Sequence, residues 1–305
     1  MPRAWLGWLL LVPMVAAEDA ATFTREKDIL YGRKYGLALT LDVFRPAKGA
    51  NGLGVIFVVS GGWFSKETAI NADFYEPFLK RGYTVFAVLH GSQPKFTVPE
   101  IVDDLHRAVR WVKANAKTYN VDPDRLGITG ASAGGHLSLM MAAGGKDGDA
   151  KAADPVERQS SRVKAAAVFF PPTDFLNWGK PGVEMLARSF QPPFTAAVDL
   201  REFDAKKALY FPVEDKDRQR EIMKAVSPAT HVSDRTAACL LIHGDRDKLV
   251  PLQQSELFVN KVKEVKGTAK LVVREGAEHG WLTIVADLEL FADWFDEHLA
   301  GKKPG

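Results

Sequence analysis

Apolar residues recur along this chain at two spacings. Leu37, Leu39, Leu41 and Val43 alternate with smaller or polar residues, the period-two pattern of an antiparallel edge strand with one covered face. Six continuous apolar runs follow: Val55 to Val59, Val85 to Leu89, Leu126 to Thr129, Ala165 to Phe170, Cys239 to Ile242 and Leu271 to Val273. Runs of that kind are buried on both faces and belong to a parallel sheet. Between them the spacing becomes helical, most clearly where Ile101, Leu105, Ala108, Val112 and Ala116 share one face. That helix is expected to end before the turn cluster Asn120-Val121-Asp122-Pro123-Asp124. Alternating strands and helices predict a doubly wound, mostly parallel α/β sheet, with ligand chemistry at the carboxyl ends of its strands.

Two stretches interrupt this rhythm. Residues 171–228 hold no convincing strand but crowd Phe175, Trp178, Phe190, Phe194, Phe203, Tyr210 and Phe211 together with Pro171, Pro172, Pro181, Pro192, Pro193 and Pro212. The segment reads as an inserted cap over the carboxyl edge of the sheet. Its aromatics either line a substrate pocket or form the cap's own small core. Within it, Glu214 to Glu221 reads as a solvated helix face. The polar stretch Gly144 to Arg162 reads as a surface loop.

The first residues read as targeting rather than fold. Arg3 precedes the apolar run Ala4 to Val15, and Val15-Ala16-Ala17 offers small residues for cleavage before Glu18. Residues 1–17 are therefore expected to be a signal peptide, and 18–305 a single α/β domain exported to the periplasm or the outside; an uncleaved anchor is the alternative. Lysine and arginine total 40 against 38 acidic residues, a net charge of +2 without long single-sign runs, so no nucleic-acid partner is expected. The seven histidines are scattered, and none falls in a metal-ligand spacing, so no metal is expected. The single cysteine, Cys239, cannot form an intramolecular disulfide and sits in an apolar run, as a buried core thiol would.

The candidate chemistry starts at Gly130-Ala131-Ser132-Ala133-Gly134, where an apolar strand enters and an apolar helical pattern leaves. G-x-S-x-G in that context is a nucleophile elbow, a serine held at a sharp turn above the sheet. Asp247 follows the run that ends at Ile242, and His279 follows the run that ends at Val273, so both lie at the same sheet edge as Ser132. The chain order Ser, Asp, His is that of α/β-hydrolases. In this arrangement His279 takes the Ser132 proton during attack, and Asp247 holds the imidazole in the required tautomer. Asp245 is the competing acid and reads as a turn residue, while His243 and His136 read as hydrogen-bonded packing residues. Ser60-Gly61-Gly62-Trp63 forms a glycine turn after an early strand. The amides of Gly61 and Gly62, with Trp63 as a near alternative, are expected to join that of Ala133 around an oxyanion.

From about Tyr31 to Leu299 the chain resembles the α/β-hydrolase superfamily, in its carboxylesterase and feruloyl-esterase-like (BD-FAE-like) branch. Besides the elbow and the oxyanion turn, the resembling pieces are Asp122-Pro123-Asp124-Arg125, Ser227-Pro228, the stretch His243 to Pro251, and His279-Gly280. The resemblance implies Ser132 as nucleophile, Asp247 as acid, His279 as base and no cofactor. It departs from the family pattern at Val59-Ser60, where His-Gly is usual, and at His90, where Tyr or Arg is frequent. An exported serine esterase acting on a small-molecule ester, with a short or aromatic acyl group on a carbohydrate or small alcohol, is the implied function. A peptidase of prolyl-oligopeptidase type and a non-catalytic binding protein are the alternatives.

Overall fold

The computed structural model of the chain describes residues 22–187 and 199–302. The expected signal peptide, and Phe190, Pro192, Pro193 and Phe194 of the expected cap, lie outside the described residues. In chain order the elements are β1 (Phe23–Lys34), β2 (Leu37–Pro46), β3 (Gly54–Val58), α1 (Glu76–Lys80), β4 (Thr84–Val88), α2 (Val98–Ala114), α3 (Ala116–Tyr119), β5 (Leu126–Ala131), α4 (Ala133–Gly144), β6 (Ala165–Phe169), β7 (Arg201–Asp204), β8 (Leu209–Pro212), α5 (Lys216–Ala225), β9 (Ala238–Gly244), α6 (Gln253–Glu264), β10 (Ala269–Arg274) and α7 (Leu288–His298).

Eight strands form one sheet in the order β1-β2-β4-β3-β5-β6-β9-β10, parallel from β4 onwards and antiparallel at β1 and β2. The continuous apolar runs are its strands because alternate residues feed two different cores. Ile56, Val58, Phe86 and Val88 face one core with α2, α4 and α6, while Val55, Val85 and Ala87 face the other with α1 and α7.

Strand β2 is not the sheet edge that its alternation suggests. β1 pairs outside it, and Asp42 and Phe44 on its second face are buried, Asp42 because Arg25 Nε donates to it at 2.7 Å. The other edge is β10, where Val273 is 41% exposed, so this run is covered less than the inner ones. Helix α2 starts at a capping box between Thr97 and Glu100 and buries Ile101, Leu105, Ala108 and Val112 completely. It stops at Ala114, five residues before the expected end, where Asn115 turns its side-chain amide onto the Trp111 carbonyl at 2.8 Å. Ala116 therefore keeps its buried place from the separate turn α3.

The insertion between β6 and β9 contains strands after all. β7 and β8 form an antiparallel hairpin in which Phe203 lies opposite Tyr210, with ring centroids 5.2 Å apart. Four-residue strands carrying Arg201, Glu202 and Asp204 lack an apolar alternation; their signature is Asp204, whose carboxylate accepts from the Lys206 and Lys207 amides to make the turn. Phe175 and Trp178 belong to the main core rather than to a separate one, whereas Phe203 and Phe211 stay largely exposed on the hairpin. The charged stretch forms α5, which buries only Ile222 and Met223. Residues 145–162 carry neither helix nor strand and are pinned to α2 by Arg107, whose guanidinium donates to Glu157 at 2.9 Å.

Candidate active site

Ser132 joins β5 to α4 with φ 53° and ψ −119°, a left-handed conformation that costs a non-glycine residue about 1–3 kcal/mol. Its neighbours make the turn possible. A Cβ on Gly130 would lie 2.6 Å from the Gly134 carbonyl carbon, and one on Gly134 would lie 2.8 Å from the Val58 oxygen.

Asp247 and His279 reach Ser132 from the ends of β9 and β10, and backbone hydrogen bonds zip those two loops together. The Asp245 amide donates to Arg274 O at 3.2 Å and the Arg246 amide to Ala277 O at 2.9 Å. His279 Nε2 then lies 3.0 Å from Ser132 Oγ, and His279 Nδ1 lies 2.6 Å from Asp247 Oδ2. The His279 ring is seated against Phe170, with centroids 4.3 Å apart.

Every acceptor position of the Asp247 side chain is occupied. Oδ1 accepts from the Leu249 and Val250 amides, each at 2.9 Å, and Oδ2 lies 3.2 Å from His243 Nε2 as well as beside His279. Burial works to raise the carboxyl pKa, but the hydrogen bonds from His243 and His279 outweigh it and hold the group well below the usual carboxylate range. Asp245 plays a different part. It is exposed, and its Oδ1 accepts from the Gly276 amide at 2.7 Å, which ties down the loop that carries His279.

The two other histidines read as packing residues are buried, and each touches the machinery. His243 Nε2 is 2.9 Å from the Val250 carbonyl and so carries the proton, which it shares with Asp247; Nδ1 then accepts from Ser255 Oγ at 2.7 Å. Sequence reasoning missed the Asp247 contact, which a spacing of four residues across a strand end could have signalled. His136 Nε2 donates to Val226 O at 2.7 Å, and its Nδ1 accepts from Trp63 Nε1 at 3.2 Å, so it anchors the oxyanion turn to α4. Burial lowers its pKa to about 4 and keeps it neutral.

The oxyanion turn departs from expectation at one donor. The Gly61 amide is spent on Phe64 O at 3.0 Å and Gly61 is exposed, so it does not serve the site. The reciprocal bond, from the Phe64 amide to Gly61 O at 2.9 Å, directs the Gly62 N–H the opposite way, because N–H and C=O of a trans peptide are antiparallel. By the same geometry Gln93 Nε2 on Gly62 O, at 3.3 Å, turns the Trp63 N–H away from Gln93. Gly62 and Trp63 line the same cavity as Ser132, and no acceptor among the described residues takes either amide. Ala133 is the first residue of α4, so its N–H has no partner within the helix.

The two departures from the family pattern meet in space. Ser60 Oγ donates to His90 Nε2 at 2.8 Å, while His90 Nδ1 donates to Gly91 O at 2.9 Å. Burial lowers the His90 pKa to about 4, which leaves Nε2 free to accept. Ser65, whose Oγ donates to Val59 O at 2.6 Å and accepts from the His90 amide at 3.2 Å, completes this brace beneath the turn. The sequence marked Ser60 and His90 as oddities but did not pair them.

A model of the BD-FAE family matches residues 41–262. The carboxylic ester hydrolase LipM of Mycobacterium tuberculosis, described as probable, is 28% identical over 93% of this chain and 64% of its own length. The chain spans only 55–64% of the lengths of LipM and of the esterases LipQ and LipC from the same organism. Among solved structures, butyrate-bound esterase Est2 of Thermogutta terrifontis superposes with a TM-score of 0.70 at 26% identity, over 91% of this chain and 96% of that one. A truncated carbohydrate esterase from gut microbiota reaches 0.74 at 24% identity, over 92% and 98%. The fold is that of the α/β-hydrolases.

Proposed function

The chain belongs to the BD-FAE family, and from that premise we propose that it hydrolyses carboxylic esters through an acyl-enzyme on Ser132. The observation that carries this reading is the continuous hydrogen-bonded path from Ser132 Oγ through His279 to Asp247, beside a cavity that Gly62 and Trp63 line together with Ser132. As Oγ attacks the ester carbon, His279 Nε2 takes its proton and the carbonyl π pair moves onto oxygen. The amides of Gly62, Trp63 and Ala133 donate to that oxyanion, each donor supporting the rate by about 10²–10³-fold. Asp247 stabilises the imidazolium, which then protonates the leaving alkoxide. Water, deprotonated by the same nitrogen, attacks the acyl carbon; Oγ leaves, recovers the proton and frees the acid.

The substrate is proposed to be a short-chain or aromatic acyl ester of a carbohydrate or small alcohol. The names of the chain's relatives, a carboxylic ester hydrolase and esterases, support an ester. Export is proposed on the N-terminal pattern, and the mass of the protein recovered after secretion tests it through the expected start at Glu18. The activity is tested by p-nitrophenyl acetate hydrolysis with wild type and Ser132→Ala, alongside mass spectrometry of the Ser132 peptide after an organophosphate. Retained turnover in the folded variant, or an adduct elsewhere, refutes the reading.

A further inference from the structure

Just past the end of β6 the backbone takes a conformation that its sequence disfavours. Phe170 has φ 34° and precedes Pro171. A residue before proline ordinarily takes φ near about −120°, and a bulky side chain rarely takes positive φ at all. Glycine would adopt this backbone without strain. The chain instead carries a phenyl ring here and buries it, leaving 5% exposed. Strain of this kind persists only where the surroundings over-determine it, and it clusters where a functional group has to be aimed.

The peptide between Phe169 and Phe170 is tied to the site from both sides. The Phe169 carbonyl accepts from the Ser132 amide at 3.0 Å, and the Phe170 amide donates to Ile242 O at 2.9 Å, on the strand β9 that leads to Asp247. With the backbone fixed there, the positive φ decides where the ring goes. It lies against His279, with centroids 4.3 Å apart and planes at 51°. Trp281 and His243 hold it in place, each nearly perpendicular to it, at 5.8 Å and 6.3 Å.

Two rings that meet edge-on keep their centroids about 5 Å or more apart, because the rim C–H has to clear the facing π cloud. At 4.3 Å neither ring presents its edge alone, so the imidazole overlaps part of the Phe170 face. That face is the negative side of the aromatic quadrupole. A neutral imidazole gains little from it. Once Nε2 has taken the Ser132 proton, however, the ring is a cation well inside the roughly 6 Å over which an aromatic face attracts one. The charge forms in acylation and again in deacylation, so the attraction acts mainly in the transition states.

We propose that Phe170 is a positioning residue whose π face stabilises the His279 imidazolium, alongside the hydrogen bond that Asp247 makes to Nδ1. The proposal rests on the ester-hydrolase reading above and deepens it.

The test replaces the phenyl hydrogens of Phe170 by one, two and three fluorines, introduced at that position alone. Fluorine withdraws charge from the face and leaves the shape nearly unchanged, so the quadrupole varies while the packing is held. The kcat/KM for p-nitrophenyl acetate should fall stepwise along the series, by about 2–30-fold in total, at constant KM. Phe170→Leu, which keeps an apolar side chain without a π face, should lose at least as much. A flat or rising series in folded proteins assigns the ring to packing alone and overturns the proposal, with the esterase reading left standing. Should the fluorinated chains not accumulate, Phe170→Leu decides: a kcat/KM within about twofold of wild type, or a loss confined to KM, overturns it. Absence of Ser132-dependent turnover with every ester in the wild type overturns both readings.

Discussion

Replacing Asp247 by asparagine tests the site through its tautomers. The carboxylate receives two donors on each oxygen: the Leu249 and Val250 amides on Oδ1, and the ring N–H groups of His279 and His243 on Oδ2. An amide of the same shape has one oxygen and one NH₂. If its oxygen keeps the two backbone donors, the NH₂ meets two ring N–H groups, and His279 relieves the conflict by moving its proton to Nε2. That nitrogen can then no longer accept from Ser132. If the amide flips, its NH₂ faces the Leu249 and Val250 N–H groups instead. Each unsatisfied buried donor costs about 1–3 kcal/mol, so stability should fall by about 1–3 kcal/mol in the first orientation, where only the His243 N–H stays opposed, and by about 2–6 kcal/mol in the flipped one. The loss in kcat should be larger, about 10⁴-fold or 5.5 kcal/mol of transition-state stabilisation, with KM changed little. Steady-state hydrolysis of p-nitrophenyl acetate measures the first quantity and urea unfolding the second. Asp245→Asn is the control, since its single bond to the Gly276 amide survives in an asparagine oxygen and the residue is exposed. A kcat for Asp247→Asn within tenfold of wild type, or a larger loss for Asp245→Asn, would sink the assignment.

Four further outcomes follow from the same geometry. Gly134→Ala should fail to accumulate or lose several kcal/mol in a thermal melt, because its Cβ meets backbone at 2.8 Å; a melting temperature equal to wild type contradicts the elbow packing. His90→Phe, which strands Ser60 Oγ, should reduce kcat about tenfold or more at constant KM, since oxyanion donors act mainly in the transition state; a pure KM effect argues against the brace. Stability should fall on acidification from pH 6.5 to about 4: His90 and His136 have folded pKa values depressed to about 4, so the unfolded chain binds the extra protons, at a cost on the order of 3 kcal/mol per residue. A melting temperature constant over that range refutes their neutrality. Asp247 has the opposite linkage, stabilising above the ordinary carboxylate pKa and losing that contribution as pH falls through its depressed folded value; Asp247→Asn should therefore show a shallower stability loss below pH 4 than wild type.

Much of this architecture could be read from the chain because burial leaves a local record. A strand covered on both faces must be apolar at every position, and β3, β4, β5, β6 and β9 announce themselves that way. A sharp strand-to-helix turn needs residues without Cβ, hence Gly130 and Gly134 around Ser132. Asp247 and His279 could be placed at one sheet edge because each follows the end of a parallel strand. Where the polar record is short or shared, it misleads: the four-residue strands β7 and β8 carry no periodicity, and β1 alternates too weakly to show that it covers β2.

The choice of donors and braces belongs to the tertiary structure alone. Three adjacent amides, of Gly61, Gly62 and Trp63, look equivalent along the chain, yet the Gly61–Phe64 pair and Gln93 orient their peptide planes and remove the first from the site. Ser60 meets His90 across 30 residues, and Ser132 meets His279 across 147. Trp178 lines the same cavity as Ser132, with the backbone of Asn177 and Gly179 on either side of it held by Gln254 and Gln253 of α6. Periodicity reports which side of an element is dry. Hydrogen-bond direction and cavity volume depend on distances of a few tenths of an ångström between distant segments, and no local pattern encodes those.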